Sequence, residues 1–172
     1  MSVDTPRRIV LLRHAKADWP DVPDHDRPLA ERGRSDASVA GRRLADTGIA
    51  FDLALCSTSV RTRETWKLAV HELPTRPKTV YEDRLYDATL GDLLALINET
   101  PDDVNDLLLV GHNPGTHALA DALSGTSEGD TIARMTRSGF PTSAFAVITF
   151  TTSWKSVEHG AGRLVDFWTP HD

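Results

Sequence analysis

One cysteine, Cys56, is all the chain has, so no intrachain disulfide can form and the sequence fits a reducing compartment. At the end of an apolar run, that thiol reads as a small buried hydrophobe. An excess of base is also missing. Lys and Arg number 19 against 25 Asp and Glu, a net charge of -6, which argues against nonspecific nucleic-acid binding. No apolar stretch is long enough to cross a bilayer, and Met1 to Arg8 lacks the hydrophobic segment of a signal peptide. No membrane partner is therefore expected, the cytoplasm is the expected location, and Asn98-Glu99-Thr100 carries no weight as a glycosylation acceptor.

Several catalytic signatures are absent too. A cysteine phosphatase needs five residues between cysteine and arginine so that one loop wraps the phosphate, but Cys56 and Arg61 enclose four. His71-Glu72 is not followed by a second histidine at zinc-protease spacing, and no Gly-x4-Gly-Lys loop is present. His112 and His117 lie five apart, beyond the one-turn spacing that puts two metal ligands on a helix face. Neither metal nor cofactor is expected.

What the chain does have is alternation. Strands are predicted near residues 8–13, 52–56, 78–82, 107–110, 144–150 and 163–167, and helices near 31–46, 59–71, 90–99 and 114–124. The first helix carries Ala37, Ala40, Gly41, Leu44 and Ala45 on one face and stops at Gly48. The third opens on the capping-box pattern Thr89-x-x-Asp92 and presents Leu90, Leu93, Leu94 and Ile97. Residues 124–142, polar and glycine-containing, read mainly as a loop bordering the pocket. The expected fold is α/β, a three-layer α/β/α sandwich with a mostly parallel central sheet and an antiparallel edge. At 172 residues and 40% hydrophobic the chain suits a single domain over 1–172, with 1–7 a flexible tail.

Three of the apolar strands end in residues that suit phosphate. Ile9-Val10-Leu11-Leu12 runs into Arg13-His14, and a buried parallel strand releases its last residues at the sheet edge where ligands sit. Imidazole can attack phosphorus through nitrogen while a guanidinium holds the non-bridging oxygens. A lone histidine is more often structural, so the other two segments matter. Asp52-Leu53-Ala54-Leu55-Cys56 is followed by Ser57-Thr58-Ser59, three candidate helix caps, which places Arg61 in or near the first turn. Leu107-Leu108-Leu109-Val110 is followed by Gly111-His112-Asn113-Pro114-Gly115. There Asn113 suits an N-cap and Pro114 the first helical position, and glycine lets the backbone approach a ligand. His112 thus sits at a positive helix end, where an imidazolium can meet phosphate oxygen. Two histidines and two arginines around one anionic centre are hard to explain as packing.

These segments resemble the histidine phosphatase superfamily, which includes phosphoglycerate mutases, and within it the small SixA-type phosphohistidine phosphatases. The resemblance rests on Leu12-Arg13-His14-Ala15-Lys16, Asp26-Arg27-Pro28-Leu29 with Arg32-Gly33, Cys56-Ser57 with Arg61 and Thr65, Leu85-Tyr86, and Val110-Gly111-His112-Asn113-Pro114-Gly115. It implies a phosphoglycerate mutase-like fold, His14 as the phosphorylated nucleophile, and a phosphate pocket of Arg13, Arg61 and His112, joined by the backbone N–H of Asn113. The chain departs from the family in one respect: no unmistakable carboxylic acid stands near the leaving oxygen. Asp87 lies about where one branch carries it, and Asp18 is a further candidate.

That departure bears on substrate. An alkoxide needs a proton donor to leave phosphorus, whereas an imidazole protonated at its other nitrogen leaves neutral. The expected activity is therefore a metal-independent phosphatase acting on phosphohistidine of a phosphorelay protein, with inorganic phosphate as product. The alternatives are a phosphomonoesterase for small phosphate esters that uses Asp87 as general acid, and a noncatalytic phosphate-binding module. The resemblance also suggests that substrate-capping insertions are missing, leaving a pocket open to a protein-borne histidine and equally to a small ligand.

Overall fold

Apolar residues in unbroken runs sort themselves onto both faces of the central strands. The computed structural model describes residues 6–171. Its first strand, β1 (Arg7–Arg13), turns Ile9 and Leu11 into one core and Val10 and Leu12 into another. Strand β4 (Asp106–Gly111) does the same with Leu107 and Leu109 against Leu108 and Val110. A strand buried on both sides belongs in the middle of a covered sheet, and β1 and β4 pair there in parallel.

The other elements are α1 (Glu31–Asp46), β2 (Leu53–Ser57), α2 (Val60–His71), β3 (Lys78–Glu82), α3 (Leu90–Asn98), α4 (Gly115–Leu123), β5 (Ser124–Ser127), α5 (Thr131–Ser138), β6 (Phe145–Phe150) and β7 (Gly162–Trp168). The sheet order is β3-β2-β4-β1-β6-β7-β5. The first four strands are mutually parallel, β6 runs antiparallel to β1 and β7, and β5 joins β7 in parallel. Ala40 and Leu44 of α1 and Trp66 and Ala69 of α2 cover one face; α3, α4 and α5 cover the other. This is the expected three-layer α/β/α sandwich with a mostly parallel sheet, in which β6 is the strand that runs against the others. Among the described residues no helix is long and apolar enough to cross a membrane.

Two glycines set close approaches. A Cβ on Gly41 would lie 2.4 Å from the Ala69 carbonyl oxygen, so its absence lets α1 and α2 touch. A Cβ on Gly33 would lie 2.0 Å from the Lys16 oxygen, so the start of α1 can clamp the segment that follows His14.

The structure corrects the sequence-based picture at two places. Residues 124–142 are not mainly loop: they contain β5 and α5. Strand β5 has no apolar residue and exists by pairing with β7; α5 is held by Met135 in the core and by Arg134 Nη1 donating to the Phe167 carbonyl at 2.7 Å. The tail expected over 1–7 falls largely outside the described residues, but Arg7 opens β1 and pairs with Phe150. A Cβ on Gly111 would lie 3.2 Å from Thr116 Oγ1, so this glycine also lets the start of α4 pack close to the end of β4.

Candidate functional site

The tips of β1, β2 and β4 meet at one edge of the sheet, and side chains from all three converge. His14 follows the last β1 residue, with its backbone N–H donating to the Gly111 carbonyl at 3.0 Å. Its ring Nδ1 lies 2.7 Å from the Ala15 carbonyl oxygen. A carbonyl can only accept, so Nδ1 carries the proton and Nε2 keeps its lone pair. Burial pushes the imidazole down to about 3, against the Ala15 bond that favours its charged form, and His112, Arg13 and Arg61 push it further the same way. At neutral pH His14 is thus an uncharged base with a free nitrogen.

His112 stands beside it, the two ring centroids 5.4 Å apart. Its Nε2 pairs with Ser57 Oγ at 2.7 Å, while the buried Nδ1 meets no partner among the described residues. Burial and then Arg61 push this imidazole down to about 4. The protonation of His112, open from the sequence, is thereby set: the ring is neutral when no anion is bound, because of desolvation and then its cationic neighbours. Asn113 caps α4 in its own way: its Oδ1 accepts from the His117 N–H at 3.2 Å and its Nδ2 donates to the Phe140 carbonyl. The helix proper starts at Gly115, with Pro114 at the cap position where Asn113 was expected.

The two guanidiniums are held differently. Arg13 Nη1 donates to the Phe140 carbonyl at 3.0 Å, its Nε is buried with no partner among the described residues, and burial together with Arg61 lowers its pKa. Arg61, 9% exposed in its side chain, sits one residue into α2, whose cap is Ser59 accepting from the Thr62 N–H. Both its terminal nitrogens reach Asp24, one to the carbonyl at 2.7 Å and one to the carboxylate at 3.0 Å. The Tyr86 hydroxyl donates to the same carboxylate, and with Arg27 and Arg61 it holds Asp24 well below the usual carboxylate range. An acid held ionised in this way cannot donate a proton to a leaving group.

Asp87 is exposed, adopts a left-handed backbone conformation with φ 56°, and lines a cavity of about 240 Å³ together with Arg61 and His112. Asp18 is exposed and accepts the N–H of Trp19. Burial pushes the Cys56 thiol up to about 12, which removes it as a nucleophile at neutral pH. Among the described residues no group of three or more His, Cys, Asp or Glu is arranged to hold a metal ion.

The structure therefore brings together His14, Arg13, Arg61, His112 and Asn113, with Asp87 at the margin. Two contributors were not singled out from sequence, Asp24 and the Phe140 carbonyl, and Ser57 was named as a cap candidate and in the family motif without its contact to His112. Of the hydroxyl triplet predicted to cap α2, Ser59 does so, Ser57 turns to His112, and Thr58 Oγ1 donates to Asp83 at 2.7 Å.

Known proteins resemble this chain in sequence and in fold. A family model described as histidine phosphatase superfamily (branch 1) matches residues 9–138. A protein of Mycobacterium tuberculosis strain H37Rv, itself uncharacterised, is 42% identical over 161 residues, 92% of this chain and 99% of its own length. The crystal structure of a candidate phosphohistidine phosphatase SixA from Agrobacterium tumefaciens superposes with TM-score 0.80 at 36% identity, covering 96% of this chain and 99% of that one. A candidate SixA from Nakamurella gives TM-score 0.85 at 30% identity, with 97% and 98% covered.

Proposed function

This chain belongs to the histidine phosphatase superfamily and is a phosphatase, and from that premise we propose that it removes phosphoryl groups from phosphohistidine on a protein, through a phosphoenzyme formed at His14. The observation that carries the proposal is the Nδ1 bond of His14 to Ala15, which leaves Nε2 as a neutral nucleophile in a cationic pocket. In the first step Nε2 attacks phosphorus in line, the P–N bond to the substrate imidazole breaks, and that imidazole leaves neutral because its other nitrogen keeps a proton. One P–N bond replaces another, so the step is close to thermoneutral. Arg13 and Arg61 hold the equatorial oxygens, joined by the Asn113 amide. Negative charge beside His112 favours its protonated form, so the ring that is neutral in the free enzyme becomes a donor once the phosphoryl group arrives. Water then attacks phosphorus, the bond to Nε2 breaks, and inorganic phosphate leaves. The guanidiniums supply the positive charge that a metal supplies in other phosphoryl-transfer enzymes.

The absence of a poised acid at the pocket supports an N-linked substrate, because Asp24 is kept ionised by its own partners. A second reading, hydrolysis of small phosphate esters, is favoured by one observation: Asp87 lines the cavity that reaches His112. One experiment separates them. Brief incubation with phosphoramidate in the presence of EDTA is expected to place acid-labile, base-stable phosphate on His14, with none in His14→Ala. Absence of both labelling and turnover would overturn the proposal. Asp87→Asn is expected to leave phosphoramidate turnover unchanged; a large loss confined to ester substrates would move the assignment to the second reading.

A further inference from the structure

Along α2 and the outer strand of the sheet runs a groove of about 820 Å³ that the chemistry above does not use. Its walls are apolar where α2 presents Val60, Trp66 and Val70 and where Pro77 leads into β3. Thr79 and Tyr81, two apart on the strand and so on one face of it, close the far side, and Tyr81 is 51% exposed. Tyrosine is enriched at protein interfaces, where its ring offers apolar area and its hydroxyl a polar contact.

The charge around this groove is one-sided. Arg63, Lys67 and Arg76 line it, all three are exposed, and none forms an ion pair with any described residue. The carboxylate among the lining residues, Glu64, is partly buried and turned away, accepting the Leu29 N–H at 2.8 Å. In a chain of net charge -6 a cluster of unpaired cations on apolar ground calls for a partner with carboxylates and apolar side chains. The groove and the pocket draw on neighbouring residues of one segment of chain, 57–61. Thr58 and Val60 line the groove, while Ser57 bonds His112 and Arg61 belongs to the phosphate site.

Resting on the function proposed above, we propose that this groove docks an acidic, apolar-anchored segment of the protein that carries the phosphohistidine, delivering the phosphoryl group to His14. Val60 to Val70 covers about 15 Å of helix, so an extended segment of roughly five residues fills it.

The test uses two chemically phosphorylated peptides, each with a single histidine beside leucine and phenylalanine, one flanked by Asp and Glu and the other by Lys, with phosphoramidate as the small substrate. The wild-type protein is expected to favour the acidic peptide in kcat/KM by about tenfold at low salt, and the preference should shrink at high salt. In R63E/K67E/R76E the preference should reverse while phosphoramidate turnover stays within about twofold of wild type. Y81A should weaken the acidic peptide and spare phosphoramidate. Equal rates on both peptides with wild type, or an unchanged preference in the triple variant, would overturn the docking proposal while phosphoramidate turnover leaves the chemistry standing. If phosphoramidate is not turned over, the chemistry fails instead, and anisotropy of the labelled, unphosphorylated acidic peptide decides the groove: binding lost in the triple variant supports it, and no binding to wild type ends it.

Discussion

The two halves of the sheet contribute to the pocket in different ways. From the parallel half, β1, β2 and β4 deliver side chains: His14, Ser57 and Arg61, His112. From the antiparallel half, the segment before β6 delivers backbone. The Phe140 carbonyl accepts Arg13 and Asn113, and the Ser143 N–H donates to the Arg13 and His14 carbonyls at 3.2 and 3.1 Å. Parallel strands end at one edge with helix N-termini beside them, an arrangement suited to an anion. A carbonyl can only accept, so Phe140 can orient Arg13 but cannot hold phosphate, and the Ser143 N–H is already engaged by the Arg13 and His14 carbonyls. Recognition and orientation are divided between the halves.

The largest effect should come from breaking the recognising half. Arg61→Ala removes a guanidinium whose nitrogens reach Asp24 in the free enzyme and lie at the cavity shared with His112. Loss of one preorganised charge-stabilising donor is expected to lower kcat/KM on phosphoramidate by about 10²–10³-fold. Arg61→Lys should recover only part of this, since one ammonium cannot reproduce a two-pronged contact. Full activity in both variants would show that Arg61 serves Asp24 alone.

A smaller effect sharpens the comparison through pH. His14 and His112 are pushed to about 3 and about 4 from an ordinary value of 6.5, first by burial in each case. Under the proposed mechanism His14 stays neutral well into acid while His112 takes up a proton as the phosphoryl group arrives, so kcat/KM on one substrate, corrected for its own ionisation, should not fall between neutrality and about pH 4 and should be lost as His14 is protonated towards about 3. Stability behaves differently. Below pH 6.5 the unfolded chain binds protons that the buried rings refuse, so this contribution is complete above that value and is lost as pH falls towards about 3. Urea midpoints at pH 7 and pH 4.5 should differ less in His14→Asn than in wild type. An equal difference would mean that burial does not hold the ring neutral.

The same division explains what could be seen in the sequence. The recognising half was legible because its signals are local: an apolar run, a cap and a histidine or arginine lie within ten residues of each other, as in Leu107 to Gly115. The capping box at Thr89 and Asp92 and the stop at Gly48 were visible for the same reason. The orienting half was not. Strand β5 owes its existence to β7, and the Phe140 carbonyl carries no mark of residue type. Asp24 is another long-range case, joined to Arg61 across 37 positions. Ser57 was visible as a hydroxyl, but only the folded sheet shows that it turns to His112 instead of capping a helix.

The smallest effect on catalysis is expected from the orienting half, where packing and chemistry should come apart. Met135, 1% exposed, fastens α5 to the core. Met135→Ala should cost about 2–5 kcal/mol of stability through the cavity it leaves, read as a lower urea midpoint. The reaction should scarcely notice. Arg134 still ties α5 to the Phe167 carbonyl, and the Phe140 ring still packs edge-on against Phe167 with centroids 5.4 Å apart, so the carbonyl that holds Arg13 keeps its place. Turnover of phosphoramidate within about twofold of wild type, under conditions where the variant is folded, is the expected result. A loss beyond tenfold would mean that Arg13 depends on core packing as well as on one carbonyl, and that the two halves of the sheet cannot be separated.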